Sequence, residues 1–483
     1  MYNQRNYDDG DQVPYRTQGF AGRAAYTYAD RYIAEFNFGY NGSENFAKGN
    51  RFGFFPSIAA GWIVSEEEFM RPVQNYINKL KLRASYGLAG NDRFYNDDGS
   101  QKRFAYITTI GTTDGYKWGN SNAFYDKGGL REGDPGVESL TWETVKKANV
   151  GIELGLFKMA ELQVDFFHER REDIFMQRKN IPSSAGFPSA PWANYGIVTN
   201  KGFDISLDLN KQINKDWFIS ARASVTYAKN KIIEQDEDLG VLGTYRSSTG
   251  KPVGQIFGLV NDGLYTEADF EDVTTGKLKP GLPVPKFSDR VYPGDIKYVD
   301  FNGDGEITET DKTAIGGTVN PELVYGFGIN LSYKNIDFGA FFQGNGRTYR
   351  IIGENQKNFL PGSTIGAEGN IFTNASDAWT VDNPSQDVFY PRLHMGYNAN
   401  NAQVSDWWLK DMSMLRLKNV ELGYSFSKNL IKKAAMEYAR IFVRGTNLLQ
   451  FSKFDLWDPE LNTSNGLKYP IMATYSIGLQ VRF

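Results

Sequence analysis

The chain has 483 residues, a formal charge of −4, no cysteine and only two histidines. These values exclude disulfide and thiol chemistry, leave no His/Cys set of zinc spacing, and argue against a nucleic-acid partner, since no basic cluster stands out. Mean hydropathy is −0.48 and no run of about 18 apolar residues occurs, which excludes a membrane helix but not a membrane barrel, whose strands average out in hydropathy.

Aromatic residues make up 15 % of the chain, with 28 Tyr and 34 Phe, as interfacial girdles would require. The start, MYNQRNYDDGDQ, has neither the basic start nor the apolar core of a signal peptide. An exported chain therefore has had its signal removed or lacks its natural beginning.

From there the sequence alternates. Phe20, Gly22, Ala24, Tyr26 and Tyr28 interleave with Ala21, Arg23, Ala25 and Thr27, and Tyr32 to Tyr40 repeats the pattern beyond a turn at Asp30. Side chains on a strand alternate faces, so each run predicts a ribbon with one apolar and one polar side. Leu80, Leu82, Ala84, Tyr86 and Leu88 continue it against Lys81, Arg83 and Ser85. Paired strands are expected at 17–29 and 31–43, 52–64 and 78–90, 142–156 and 160–176, 195–213 and 215–230, 322–333 and 335–347, and 412–428 and 436–449. A last strand is expected at 470–483. The phase slips between Leu417 and Val420, which predicts a bulge. In the terminal strand Tyr475, Ile477, Leu479, Val481 and Phe483 share one face, the candidate barrel-assembly strand.

Short and long connections alternate between these strands. Outer-membrane barrels have short periplasmic turns and long outer loops, so the tight turns at Asp30, Lys158, Asn214 and Lys334–Asn335 are assigned inside. The segments 231–321 and roughly 350–410 are then outer loops. The predicted fold is an all-β transmembrane antiparallel barrel of about thirteen strands. An odd count starting inward implies at least one earlier strand. The whole of 1–483 is thus expected to be the C-terminal part of one larger barrel.

One motif carries chemistry. Asp300 to Asp311 reads DFNGDGEITETD. Asp300, Asn302 and Asp304 stand at positions 1, 3 and 5 of a calcium loop and Gly305 at the sharp turn. Glu306 offers its carbonyl at 7, Thr308 acts through water at 9, and Asp311 stands at 12 in place of the usual Glu. Converging oxygens suit a structural calcium ion or another hard divalent cation; the plain alternative is a polar turn. Trp192, Trp379 and Trp457 are candidate ligand or lid contacts, since aromatic faces in wet loops stack on sugar rings or grip a partner. For Trp142, Trp407 and Trp408 an interfacial belt is an equal alternative. Nothing like GxSxG surrounds a serine, and no enzyme is expected.

Four phrases in order, GRAAYTYADRYIAEFNFGYNGSENFAKGNRFGFFPSIAAGW (22–62), LTWETVKKANVGIELGLF (140–157), GDIKYVDFNGDGEITETDKTAIGGTVNPELVYGFGINLSYKNIDFGAFFQG (294–344) and ARIFVRGTNLLQFSKFDLWDPE (439–460), resemble the SusC/RagA family of TonB-dependent outer-membrane transporters of Bacteroidetes. The resemblance implies a twenty-two-stranded barrel around an N-terminal plug, a SusD-like surface lipoprotein as lid, and energy from TonB through a short box; plug and box are expected to have no counterpart in this sequence. It implies active import of oligosaccharides, or of peptides. A passive porin or adhesin, and a soluble calcium-stabilised carbohydrate-binding β-protein, are the alternatives.

Overall fold

The computed structural model describes residues 2–7, 15–95, 99–120, 123–187, 189–353, 373–432 and 435–483. Part of the expected outer loop over 350–410, residues 354–372, lies outside the described residues.

Among the described residues fourteen strands make one antiparallel sheet in chain order. They are β1 (Tyr2–Tyr7), β2 (Tyr15–Tyr28), β3 (Tyr32–Ser43), β4 (Phe52–Ile63), β5 (Ile77–Asn91), β6 (Glu143–Leu156), β7 (Ala160–Gln177), β8 (Trp192–Gln212), β9 (Trp217–Glu234), β10 (Leu323–Tyr333), β11 (Ile336–Gly346), β12 (Met414–Ser425), β13 (Tyr438–Ser452) and β14 (Thr474–Arg482). Thirteen coincide with the alternating runs. The additional one, β1, reads YNQRNY and carries no apolar alternation, so periodicity gives no sign of it. Among the described residues β1 is thus a strand earlier than the thirteen, as their odd count implied.

Contacts divide the chain into two compact units: Met1–Leu209 with Thr226–Leu242 and Thr249–Lys251, and Asn210–Val225 with Gly243–Ser248 and Pro252–Phe483. In the first, Tyr26, Tyr28, Ile58, Tyr86 and Phe166 are all exposed on the apolar side of their strands. In the second, Leu422, Val443 and Ile477 form an exposed row: Leu422 pairs with Val443, and Val443 with Ile477. Tyr475, Ile477 and Leu479 are 74 %, 76 % and 67 % exposed, so among the described residues no second sheet packs over the terminal strand. A water-facing sheet would bury this side and leave the charged one wet.

Two tight turns that return the chain are made by left-handed non-glycine pairs. Ala29 and Asp30 have φ of 52° and 54°, and Phe157 and Lys158 have 54° and 56°, the primed-turn twist that suits a hairpin. At the next short connection Asn214 Oδ1 accepts from the Asp216 and Trp217 amides instead. Aromatic residues gather at this short-turn end: Tyr28, Tyr32, Trp62, Tyr76 and Phe157 in the first unit, and Trp217, Tyr333 and Tyr424 in the second, all exposed. This is where an interfacial belt belongs. Trp142 and Trp408 are not in it; at 8 % and 0 % exposure they lie in packed clusters, and Trp407 is half-buried against one of them.

The predicted bulge is present. Phe341 faces Asn419 and Phe342 faces Leu417, leaving Lys418 as the extra residue. A one-residue slip reverses every side chain. The bulge absorbs that slip, so Leu415 and Leu417 keep the face of Val420 and Leu422.

The long connections hold their own structure. Residues 92–142 include a hairpin of Ile110–Asn120 with Ala123–Glu132. The second unit's outer segments bury a core of Leu259, Ile296, Tyr298, Ile307, Ile352, Trp379, Tyr390 and Trp408.

Candidate functional site

On the polar face the charges are paired across strands. In the first unit Lys79, Lys81 and Arg83 of β5 meet Glu153 of β6, and Arg83 reaches on to Asp165 of β7 at 2.5 Å. That last pair spans the strand between, directly over Gly151. A Cβ there would sit 2.5 Å from Asp165 Oδ1 and 2.7 Å from Arg83 Nε. The second unit repeats the device: Arg440 of β13 reaches Asp337 of β11 over Gly423 of β12, where a Cβ would come within 2.6 Å of the guanidinium carbon. Arg440 and Arg444 also hold Glu421. Alternation reveals which residues share this face but not that a glycine is the gap through which two of them meet.

Beside them Asn330, Ser332, Asp337, Asn419, Glu421 and Arg444 line a cavity of about 400 Å³. It offers fixed donors and acceptors, with Phe338 and Phe341 also in its lining. Among the described residues no group of three or more acidic, His or Cys side chains is gathered to hold a metal ion.

The loop 300–311 folds as its motif requires in part. Asp300 accepts from the amides of Gly303 and Gly305, Asn302 from Asp304, and Asp304 from Glu306, at 2.7–2.9 Å. Gly303 and Gly305 have φ of 72° and 84°, which the turn demands. Gly305 and Ile307 carbonyls accept from Val284 and Lys286. By strand alternation Glu306's carbonyl is directed away from that pairing, as position 7 needs, while its carboxylate pairs with Lys286.

Asp311 departs from the expected role as an open ligand. It is fully buried and caps the loop, accepting from the Phe301, Asn302 and Thr308 amides. Thr308 Oγ1 is bonded to Thr310 Oγ1 at 2.6 Å. Oxygens in such bonds keep a second lone pair, so Asp300, Asn302 and Asp304 fit a hard cation by chemistry, and Asp311 fits it less directly.

The three tryptophans expected to contact ligand or lid are committed to packing. Trp379 is 6 % exposed, with Gly294 against its ring and Arg392 at 5.7 Å, so its face is closed to a ligand. Trp192 stacks on Phe175 at 4.8 Å under the Lys102 ammonium, and Trp457 meets Phe454 edge-on at 4.9 Å. Hydropathy of the surrounding loop does not reveal a loop with its own core. Among the described tryptophans of the long loops, the exposed one is Trp118, at 61 %, beside Tyr116 in the loop hairpin.

Of the two histidines, His394 is structural. His394 Nε2 lies in hydrogen-bond contact with the fully buried Asp295, which also accepts from Asn401 Nδ2 and the Tyr292 amide at 2.8 Å each. This ties the segment around 400 to the strand Ile296–Tyr298. Nearby, burial lowers the Lys410 pKa and pushes the Tyr390 phenol up to about 12, both inside the loop core. In the first unit, hydrogen bonds from Lys102 and Ser189 hold Asp134 below the usual carboxylate range.

No family model matches the chain. It is 30 % identical over 506 residues to TonB-dependent receptor P26 of Formosa agariphila, covering 99 % of this chain and 47 % of that one. It is 25 % identical over 489 residues to TonB-dependent receptor SusC of Bacteroides thetaiotaomicron, covering 98 % and 45 %. The chain therefore spans about half the length of the curated relatives it matches. Among solved structures it is similar to the RagAB peptide importer in its open-open state, with a TM-score of 0.73, 23 % identity, and 98 % and 47 % of the two chains covered. That likeness shows the fold, a transmembrane β-barrel wall. Across nearly its whole length this outer-membrane chain is similar to the SusC/RagA-like TonB-dependent transporters, and the relatives it matches are transporters and receptors, not enzymes.

Proposed function

We propose that this chain forms conduit wall and outer loops of an active importer in the outer membrane, working with a SusD-like surface lipoprotein and driven by TonB. The observation that carries the reading is the wall's inverted polarity: apolar rows exposed on one face, paired charges on the other. Similarity to TonB-dependent receptors over 99 % of the chain supports it. The cargo is an oligosaccharide or, by likeness to the RagAB peptide importer, a peptide. Ligand is captured outside, and the wall's fixed donors and acceptors keep the path polar.

The test uses the protein at its own locus in its source bacterium. A tagged copy should bring down a surface lipoprotein. Deleting the gene should abolish uptake of labelled material from a mixed glycan or peptide digest, and a proton uncoupler should do the same. Uptake that persists with the uncoupler would point to a passive pore and overturn the proposal.

We also propose that Asp300, Asn302, Asp304 and the Glu306 carbonyl, completed by Thr308 and Asp311, hold a structural calcium ion. Calcium should raise the melting temperature of the purified protein, and Asp304→Ala should abolish the rise. An equal melting temperature with calcium and with chelator removes the site.

A further inference from the structure

Above the first unit's aromatic rows lies a small notch on the lipid-facing side. Phe20 pairs with Tyr40, and Tyr40 with Phe54. One row nearer the long-loop end, Gln18 pairs with Gly42, and Gly42 with Phe52. Phe20, Tyr40, Phe52 and Phe54 are all exposed, at 45–54 %. By alternation Arg16 and Gln18 stand on this same outward face.

The Phe52 ring lies flat over Gly42, where a Cβ would meet it at 2.5 Å, and stacks on Tyr40 at 5.2 Å. Next to it is a recess of about 210 Å³ lined by Arg16, Gln18, Glu44, Arg51 and Phe52, and at intervening positions by Thr17 and Ser43. Arg51 is already bonded through Nε to the Phe46 carbonyl. The Arg16 guanidinium has no carboxylate partner among the described residues.

We propose that this notch takes the phosphorylated sugar headgroup of an outer-leaflet glycolipid. Three observations converge. The recess continues the lipid-facing band without a break, so what fills it is the layer next to the acyl chains. It lies at the long-loop end, which is the outer leaflet in barrels of this kind. Its charges are mixed: Arg16 supplies a phosphate ligand with planar donors, whereas Glu44 repels a free phosphate and accepts from hydroxyls. A sugar phosphate presents both groups together. The Phe52 face suits a pyranose ring or the first methylenes below it.

The inference rests on the face assignment and is independent of the cargo. Its test is native mass spectrometry of the full chain, folded in detergent and mixed in turn with phosphorylated lipid A, dephosphorylated lipid A and phosphatidylethanolamine. The phosphorylated form should be retained on the order of tenfold more strongly than either, as loss of a charge-assisted contact implies. Arg16→Gln should lose that margin, and Arg23→Gln, which removes a charge from the opposite face, should keep it. Equal retention of the dephosphorylated form, equal retention of phosphatidylethanolamine, or an unaltered margin in Arg16→Gln would each overturn the proposal.

Discussion

The wall and the outer segments of the second unit are built to opposite rules. In β11 to β14 the large apolar side chains Leu422, Val443 and Ile477 are exposed, and Arg440, Asp337 and Glu421 close on one another. In the outer segments, Trp408, Tyr298 and Ile296 are fully buried. One chain therefore uses two solvents. Where hydrocarbon is the solvent, burial of apolar area supplies no drive, and closing the backbone ladder and pairing charges on the other face hold the structure. Where water is the solvent, the hydrophobic effect assembles a core.

The comparison is most easily broken in the outer core. Trp408→Ala should cost about 3–5 kcal/mol, the usual range for an emptied tryptophan site. Hydrogen exchange should rise around 256–264, 296–298 and 377–412 while β12 to β14 stay protected. Equal loosening of those strands would show that the outer core and the wall are one cooperative structure.

The converse test places a charge in the exposed row. Val443 is 51 % exposed, and in water Val443→Arg would be nearly silent. In a bilayer the same change should cost about 2–4 kcal/mol near the midplane. Folding equilibria in lipid vesicles measure it, and a silent Val443→Arg would remove lipid from that face.

A third change addresses the polar side. Gly423→Ala inserts a methyl against the Arg440 guanidinium and must separate it from Asp337. Overpacking of this kind costs about 1–3 kcal/mol. Pairing Gly423→Ala with Asp337→Asn separates steric from ionic loss. If the double variant is as destabilised as the two single costs summed, the glycine serves something other than that ion pair.

The wall was legible because its period is two and its faces differ; even the slip at Leu417 to Val420 survives as a bulge at Lys418. The strand β1 was not, because YNQRNY has no apolar face to betray it. The outer core was not legible either. Trp379, Trp408 and Tyr390 come together from a loop with no period, and only their packing shows that they are buried. The calcium-type loop lay between these cases: its spacing is local and readable, but the turning of Asp311 into a cap depends on amides that spacing does not locate. Sites made of distant partners, such as Arg83, Gly151 and Asp165, need the register before they can be seen.

The smallest expected effect lies in an outer loop of the first unit and sharpens the contrast there. Asp236 is buried, which on its own would raise its pKa. The Arg178 guanidinium, the Lys179 and Asn180 amides and the Asn180 side chain outweigh that and bring it from 3.8 down to about 2. A carboxylate held below its unfolded value stabilises the fold in its charged state. Its contribution is therefore complete above the unfolded value near pH 4 and is lost as pH falls through about 2. Exchange at the Lys179 amide, followed from pH 5 to pH 2, should show protection falling in that window. Asp236→Asn should lack this transition, because its amide does not titrate and cannot hold Arg178. If the variant keeps the same acid transition, the carboxylate is not what fastens this loop, and the loss must come from another charge.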